Sequence, residues 1–315
     1  MMCLHSMLLL LLLLLSATSN KHATATSLNL LLFNDPKDVE SKKNSPKQRF
    51  QTTTKSCPRV HLPFLERDEF LKSQDNEDRC LFSFFNGLCH GTYLDLGALD
   101  GVRYSNSFAF HMYPGLQWKG VNVELVPRNY EALVSNRPRD MANIHAAVCD
   151  LPQQLHYVET KSNVTNGIWE FANEAFREQY WKNVHFDDTT PINCVPTQII
   201  LDQVLLAFGD PDEDKIYFDF FSLDIEGGEL AALRGIDFDR IGFGIIIVER
   251  NTVDSEFNKE VKSLLKEKGY DRIDDITSRE DCATPGFPRN YWYINREFET
   301  IYEHVTYSYN SNLRG

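Results

Sequence analysis

The stretch that decides the fold is YLDLGALDG, from Tyr93 to Gly101. The apolar run predicts a buried strand, Asp95 lies at its end, and Gly97 and Gly101 predict a turn directly after it. Ligands of open α/β sheets bind beyond the carboxyl ends of the strands, so this turn predicts a ligand site. Leu99 stands at the middle glycine of a dinucleotide fingerprint, and no Gly-Lys-Ser/Thr of a P-loop follows, so the sequence disfavours both phosphate motifs.

Acidic residues at three predicted strand ends favour S-adenosylmethionine, which has no phosphate but carries a sulfonium, an ammonium and a ribose diol. Asp95 can face the cationic methionine end, Glu124 in GVNVELVP can accept the ribose hydroxyls, and Asp150 at the end of AAVCD can meet the adenine amino group. Any one of these acids alone has an alternative role as a helix cap or solvated loop acid, and Ser105 has the same capping alternative. The predicted donor-binding residues are Asp95, Gly97, Asp100, Gly101, Ser105, Glu124 and Asp150.

Strand-like runs alternate with helix-like segments, which predicts an α/β fold with a mostly parallel seven-stranded sheet and helices on both faces. The aromatic run near the end predicts an antiparallel last strand. The predicted strands are Thr92–Leu96, Gly120–Val123, Ile144–Val148, Ile216–Leu223, Gly244–Val248, Tyr270–Ile273 and Tyr291–Asn295. The predicted helices are Tyr104–Tyr113, Pro127–Asn136, Thr197–Phe208, Glu229–Arg234 and Ser255–Lys268.

The first residues predict a secretory leader. Met7–Leu15 is one methionine and eight leucines, followed by small and polar residues, which is typical of a signal peptide over residues 1–25. Cleavage could follow Ser19 or Ala25, and retention of the leader as a short anchor is the alternative. The run alone is too short to cross a bilayer, which takes roughly 20 apolar residues.

The rest of the chain divides by composition. Residues 26–74 are polar without a sustained apolar period, which predicts a linker or stalk. One globular domain is predicted over 75–298, followed by a C-terminal tail over 299–315. Residues 151–196 fit no strand–helix cycle, so we expect an insertion near the ligand face.

Cysteine usage and charge also bear on the setting. Loss of the leader with Cys3 leaves six cysteines, an even set that suits an oxidising compartment, with the pairing left open. A single sequon begins at Asn163. The net charge of −13 argues against a nucleic-acid partner. These features predict the secretory pathway, in the lumen or secreted, with no membrane span unless the leader is retained.

Several motifs together resemble the FkbM-type methyltransferases, in their eukaryotic branch with leaders or anchors. The motifs are LDLGALDGVRYSNS, WKGVNVELVPRNYEAL, NRP, AAVCD, FSLDIEGGELAALRGI and IIIVER. The resemblance covers about Asp75 to Asn295 and implies a class I Rossmann-like methyltransferase fold, S-adenosylmethionine as donor and methylation of a hydroxyl. Ser222 departs from the lysine that bacterial members often carry there, so acceptor chemistry does not transfer directly.

The segment SLDIEGGE, from Ser222 to Glu229, predicts the catalytic groups. An acceptor hydroxyl must lose a proton during methyl transfer, and Asp224 is predicted to be the base or to orient that hydroxyl, with Glu226 sharing the role. Capping of the turn at the two glycines is the alternative for Glu226 and the preferred role for Glu229. Asp224, Glu226 and Glu249 could hold a cation, but their spacing fixes no ligand set, and no metal is predicted.

Two function classes remain open from the sequence. The first is an O-methyltransferase acting on a glycan or other small hydroxylated molecule in the secretory pathway. The second is a non-catalytic protein of the same fold that serves in secretory trafficking or protein binding. The full set of predicted donor and catalytic residues favours the enzyme, while no motif identifies the acceptor.

Overall fold

The computed structural model describes residues 69–85, 88–113, 115–162, 164–208, 216–250, 255–278, 282 and 289–303. The predicted leader, most of the predicted linker and the sequon asparagine, Asn163, lie outside these ranges. Within them, no helix has both the length and the apolar character needed to cross a membrane.

A seven-stranded sheet forms the centre of the molecule, in the order β11–β12–β10–β9–β1–β2–β3. The strands are β1 (Thr92–Leu96), β2 (Lys119–Glu124), β3 (Ala142–His145), β4 (Val148–Cys149), β5 (Gln154–Val158), β6 (Gly167–Ile168), β7 (Thr190–Asn193), β8 (Val195–Pro196), β9 (Ile216–Leu223), β10 (Ile241–Glu249), β11 (Tyr270–Arg272) and β12 (Asn290–Asn295). Neighbours from β3 to β10 pair in parallel, whereas β12 is antiparallel to both β10 and β11. The predicted mostly parallel sheet with an antiparallel last strand is confirmed.

Helices cover both faces of this sheet. They are α1 (Glu77–Phe85), α2 (Phe108–Met112), α3 (Pro127–Asn136), α4 (Glu174–Tyr180), α5 (Thr197–Phe208), α6 (Glu229–Arg234), α7 (Ser255–Glu267) and α8 (Phe298–Ile301). The predicted helix over Tyr104–Tyr113 is too long, because Tyr104 has a φ of +57° and the helix begins only at Phe108. After α7, Gly269 has a φ of +94°, as expected for a glycine at a helix C-terminus.

Side chains alternate between the two faces of each central strand, as the pleat requires. Leu94 and Leu96 belong to the core beneath α5, α6 and α7. Tyr93 belongs to the opposite core, which is built with α1, α2 and α8. In β10, Ile245 and Ile246 divide between these two cores in the same way. The strands are therefore buried on both sides, which explains their continuous apolar sequences.

The predicted third strand, Ile144–Val148, is divided in the structure. β3 ends at His145, and Val148 begins β4, which pairs with β8 in a separate two-stranded sheet. A disulfide between Cys149 and Cys194 joins the same two segments. The chain therefore leaves the seven-stranded sheet three residues before the sequence pattern indicates.

The predicted insertion has its own small architecture. β5 pairs antiparallel with β6 and with β7, and α4 follows β6. Asn173 caps α4 by accepting a hydrogen bond from the backbone N–H of Phe176 at 2.8 Å. Trp181 is buried against Trp169, so these two tryptophans form a local core rather than an exposed platform.

Packing extends beyond the predicted domain limits of 75–298 at both ends. Phe70 and Leu71 pack against the core of α1. Tyr302 is fully buried and donates a hydrogen bond to Asp219 at 2.6 Å. The Cys80–Cys282 disulfide ties α1 to the segment between β11 and β12.

Candidate functional site

A cavity of about 680 Å³ opens at the carboxyl ends of β1, β2, β9 and β10. Its size suits a small-molecule ligand, since such pockets span roughly 300–1,000 Å³. The insertion forms one wall through residues that include Asn166, Phe171, Phe176 and Tyr180. The cavity therefore lies where parallel α/β sheets bind their ligands.

The glycine turn after β1 brings two strand ends together. Gly97 has a φ of +89°, and a Cβ there would lie 1.7 Å from the backbone oxygen of Asp224. Only glycine fits this contact. Leu99 also has a positive φ, of +48°, and its backbone N–H donates to Glu124 at 2.9 Å. Leu99, at the position where a dinucleotide site needs glycine, thus holds the side chain of Glu124 in place.

Asp95 lies buried at the end of β1, on the cavity wall. Its Oδ2 accepts a hydrogen bond from the hydroxyl of Ser107 at 2.7 Å. Burial raises the pKa of Asp95 to about 6, opposed by the Ser107 hydrogen bond and the positive charge of Arg137. At neutral pH the side chain is therefore mainly ionised and able to pair with a cation.

Glu124 is held rigidly at the end of β2, also on the cavity wall. Its Oε2 accepts from the N–H of Leu99 at 2.9 Å, and its Oε1 accepts from the N–H of Val126 at 2.7 Å. Burial raises the pKa of Glu124 to about 7, although these hydrogen bonds and one from Asn129 oppose the rise. Three hydrogen bonds on the two oxygens leave about one acceptor site for a ligand hydroxyl.

Three predicted donor-binding residues have mainly structural contacts. Asp100 accepts from the N–H of Val102 and Arg103 at 2.9 and 2.7 Å and does not line the cavity. Gly101 has a φ of +77° and packs so closely on Arg137 that a Cβ would approach its side chain to 2.8 Å. Ser105 lines the cavity and caps α2 by accepting from the N–H of Phe108 at 3.1 Å.

The structure does not bring Asp150 to the cavity. Because the chain leaves the main sheet at His145, Asp150 follows β4 and accepts from the N–H of Leu151 at 2.8 Å. At this edge the cavity is lined instead by Ala146, Ala147 and Val148. A flat apolar ligand group would meet small side chains there.

Three carboxyl groups line the cavity beside β9 and β10: Asp224, Glu226 and Glu249. Asp224 is exposed to solvent there, and its pKa is raised by the surrounding protein but opposed by a hydrogen bond from Glu249 and the charge of Arg289. Burial and the neighbouring carboxylates hold the pKa of Glu226 and of Glu249 well above the usual range. The raised pKa favours the protonated form of Glu249, which can donate a hydrogen bond to the carboxylate of Asp224.

Glu229 has the capping role that the sequence favoured. Its Oε1 accepts from the N–H of Ile225 at 2.9 Å and of Gly227 at 3.1 Å, and burial raises its pKa to about 7. Oxygens of Asp224, Glu229 and Glu249 lie within 4.8 Å of one another, a grouping that could hold a cation. Glu229 is already engaged by the backbone and Glu249 by Asp224, so we assign no metal.

A buried polar network behind the glycine turn was missed by the sequence reasoning. Arg137, directly after α3, donates to the carbonyl of Gly101 at 2.6 Å and to the hydroxyl of Tyr93 at 2.9 Å. Asp140 accepts from Tyr93 at 2.7 Å and lies 3.0 Å from His111. The only sequence signal was NRP within the resemblance, because no local pattern links residues so far apart.

Comparisons with known proteins identify the domain. The family model for the methyltransferase FkbM domain matches residues 95–272. A search of curated proteins found no match.

Solved structures include similar folds at low identity. A TehB-like SAM-dependent methyltransferase from Corynebacterium glutamicum is 10% identical, covering 82% of this chain and 97% of that chain, with a TM-score of 0.33. A precorrin-6y C5,15-methyltransferase from Geobacter metallireducens is 15% identical, covering 72% and 93%, with a TM-score of 0.30. Fibrillarin from Aeropyrum pernix with bound S-adenosyl-L-methionine is 12% identical, covering 65% and 66%, with a TM-score of 0.27.

These solved structures are too dissimilar to identify the family of this chain. The family match, the strand order and the cavity identify it instead. The seven-stranded sheet with its antiparallel strand β12 is that of a class I Rossmann-like methyltransferase. The methyl donor of this class is S-adenosylmethionine. The matched segment begins at Asp95 and ends in β11, so it includes the ends of β1, β2, β9 and β10 that line the cavity. The chain belongs to the FkbM methyltransferase family.

Proposed function

We propose that this protein is an S-adenosylmethionine-dependent O-methyltransferase that modifies a hydroxyl of a glycan or other small hydroxylated molecule in the secretory pathway. The observation that carries the proposal is the cavity itself. It joins two fixed acids at one end, Asp95 and Glu124, to the carboxyl cluster of Asp224, Glu226 and Glu249 at the other.

The end formed by β1 and β2 suits the donor. Asp95 is ionised at neutral pH and can pair with the ammonium of the methionine part. Glu124 is held in place by backbone hydrogen bonds and can accept a hydrogen bond from a ribose hydroxyl. The small residues Ala146 and Ala147 leave room for the adenine ring. In this arrangement Asp224 at the end of β9 would be near the methyl group that the donor supplies.

The end formed by β9 and β10 suits an acceptor hydroxyl. Asp224 is exposed in the cavity, and its carboxylate can accept the proton of a hydroxyl as that hydroxyl becomes nucleophilic; desolvation by the surrounding protein raises its pKa, which strengthens it as a base. The raised pKa values of Glu226 and Glu249 favour their protonated forms, which can donate and accept hydrogen bonds with neighbouring hydroxyls. A molecule that carries several hydroxyls matches this set of partners better than an anionic one, which the acidic residues would repel.

The proposed reaction is a single in-line displacement. The acceptor oxygen attacks the methyl carbon of the donor, an O–C bond forms, and the C–S bond breaks with its electron pair passing to sulfur. The acceptor proton passes to Asp224, and S-adenosylhomocysteine leaves as a neutral thioether. Glu249 supports Asp224 by donating a hydrogen bond to its carboxylate.

The cellular setting is supported by the disulfides and the leader. Cys80–Cys282 and Cys149–Cys194 are compatible with an oxidising compartment. The leucine-rich leader and the even cysteine set after its removal support entry into the secretory pathway. The acceptor would then be a molecule that shares this compartment.

The test is a transfer assay with S-adenosylmethionine labelled in its methyl group. Protein secreted from eukaryotic cells is incubated with neutral oligosaccharides, small alcohols and phenols, and with phosphorylated or sulfated counterparts of the same acceptors. We expect label in an ether bond on a neutral hydroxylated acceptor, and labelling about 10²–10⁴-fold slower with Asp224→Asn. Donor binding without transfer to any acceptor class would favour the non-catalytic alternative, and transfer to nitrogen or carboxyl groups would contradict O-methylation.

A further inference from the structure

Arg137 is a fully buried charge directly behind the proposed donor site. Its Nε donates to the carbonyl of Gly101 at 2.6 Å, and its Nη2 donates to the hydroxyls of Ser105 and Ser107 at 2.7 and 3.0 Å. Asp140 supplies the opposite charge, 3.6 Å from Nη1. The guanidinium thus contacts the glycine turn and both serines that follow it.

The Ser107 hydroxyl links Arg137 to Asp95 on the cavity wall. An arginine side chain can only donate hydrogen bonds, so Ser107 accepts from Arg137 and is free to donate its own proton to Asp95, at 2.7 Å. The direction of the whole chain of hydrogen bonds is then fixed. Asp95 is held in one orientation, with Oδ2 engaged and Oδ1 available for a ligand cation.

Stability alone gives little reason for this arrangement. A buried ion pair contributes little net stability compared with apolar residues of similar volume, because both charges lose their hydration. Through Ser107, the network of Arg137 and Asp140 contacts Asp95, the acid that would pair with the donor's ammonium. We propose that Arg137 is a positioning residue for S-adenosylmethionine, acting through Ser107 on Asp95 and through Gly101 on the turn; this rests on the proposed donor site.

The charges around Asp95 determine how the hydrogen bonds from Arg137 to Ser107 and from Ser107 to Asp95 would affect binding. Arg137 is the cation that acts on it, whereas Asp140 beyond α3, Asp224 after β9 and Glu124 of β2 are negative neighbours. Tyr93 on the same strand is held neutral, and His111 of α2 faces Asp140. Burial and the negative neighbours raise the pKa of Asp95, whereas Ser107 and Arg137 lower it. Loss of the hydrogen bond from Ser107 should therefore raise this pKa above its present value of about 6.

The experiment measures S-adenosylhomocysteine binding by calorimetry from pH 5.5 to 8.5, with thermal melts of the same preparations. Ser107→Ala removes the hydroxyl that joins Arg137 to Asp95 and keeps the buried ion pair. Arg137→Lys keeps the positive charge and loses the planar guanidinium with its several hydrogen-bond donors. We expect both to weaken binding about tenfold at pH 7. The pH at which binding is half lost should rise by about one unit.

Tyr302→Phe is the matched control. It removes a buried hydroxyl that donates to a buried carboxylate, Asp219, at 2.6 Å, and burial also raises the pKa of Asp219 to about 6. Asp219 lies on β9 and Tyr302 directly follows α8, and neither residue lines the cavity. We expect a lower melting temperature with unchanged binding and an unchanged pH midpoint.

The outcomes separate the two proposals. Wild-type affinity and midpoint in both Ser107→Ala and Arg137→Lys would overturn the positioning role while leaving the donor site intact. Equal loss of binding in Tyr302→Phe would also overturn it, because general loosening would then explain the effect. A wild-type protein that binds no S-adenosylhomocysteine would overturn the donor site and the positioning role together.

Discussion

Glu124→Gln tests the proposed ribose contact with the smallest change in shape. In the native protein both oxygens of Glu124 accept backbone N–H groups, from Leu99 at 2.9 Å and Val126 at 2.7 Å. Glutamine offers one oxygen, so its amide N–H₂ must face one of these two donors. A buried N–H left without an acceptor costs about 1–3 kcal/mol, and the free energy of unfolding should fall by that amount.

The effect on binding is separate and depends on pH. Loss of a hydrogen bond between a charged carboxylate and a ribose hydroxyl costs about 1.5–3 kcal/mol, which weakens S-adenosylhomocysteine binding roughly 10- to 150-fold. This holds at pH 8, where Glu124, with its pKa raised by burial to about 7, is mostly ionised. At pH 6 the native carboxyl is mostly protonated, so the difference between the two proteins should narrow.

Calorimetric titration at pH 6 and pH 8, with chemical denaturation of the same samples, gives both quantities. Glu131→Gln is the control, because it makes the same substitution at an exposed position of α3. It should change neither binding nor stability. A Glu124→Gln protein that is destabilised but binds S-adenosylhomocysteine as tightly as the native protein at pH 8 would refute the ribose assignment.

Three further predictions concern the reaction, pH and the insertion. Asp224→Asn should lower turnover about 10²–10⁴-fold with little change in donor affinity, measured in single-turnover assays; native turnover would remove Asp224 from the mechanism. Burial raises the pKa of both Glu124 and Glu229 to about 7 from 4.5, so the folded protein binds more protons between these values. From these two groups, the unfolding free energy without ligand should therefore fall by about 4 kcal/mol from pH 5.5 to 7.5 in denaturation curves, and a rise would contradict this sign. Replacing Cys149 and Cys194 by serine opens a loop of 45 residues and should cost about 4 kcal/mol of unfolding free energy, while an unchanged stability would show that the insertion is held by packing alone.

The elements predicted best were those whose own sequence carries the physical cause. β9 was predicted with its observed limits, Ile216–Leu223, because a strand buried on both faces reads as a continuous apolar run. The helices Pro127–Asn136 and Thr197–Phe208 were likewise predicted in full. Proline at the first turn marks the start of one, and apolar spacing marks the other.

The errors arose where a distant segment decided the local structure. The strand predicted over Ile144–Val148 stops at His145, because Val148 pairs with Val195 instead of continuing along β2. This removed Asp150 from the cavity edge. Residues 104–107 were assigned to a helix, yet Ser105 there serves as the cap of α2.

The residues of the site also differ in how well the sequence predicts them. Asp95, Gly97, Glu124 and Asp224 could be named because each stands at the end of an apolar strand, and the structure brings all four to one cavity. Arg137 could not, because its partners are up to 44 residues away and nothing in its neighbours indicates burial. Local patterns therefore predict which groups face the ligand, whereas the network that holds them depends on tertiary packing.

Whether the cavity binds a methyl donor can be measured by calorimetric titration of the native protein, expressed in eukaryotic cells, with S-adenosylhomocysteine at pH 8. We expect one saturable site per chain, at which S-adenosylmethionine competes, and a higher melting temperature for the complex. No binding heat and no thermal shift at saturating ligand, from protein that melts cooperatively, would contradict the assignment of the cavity as a methyl-donor site.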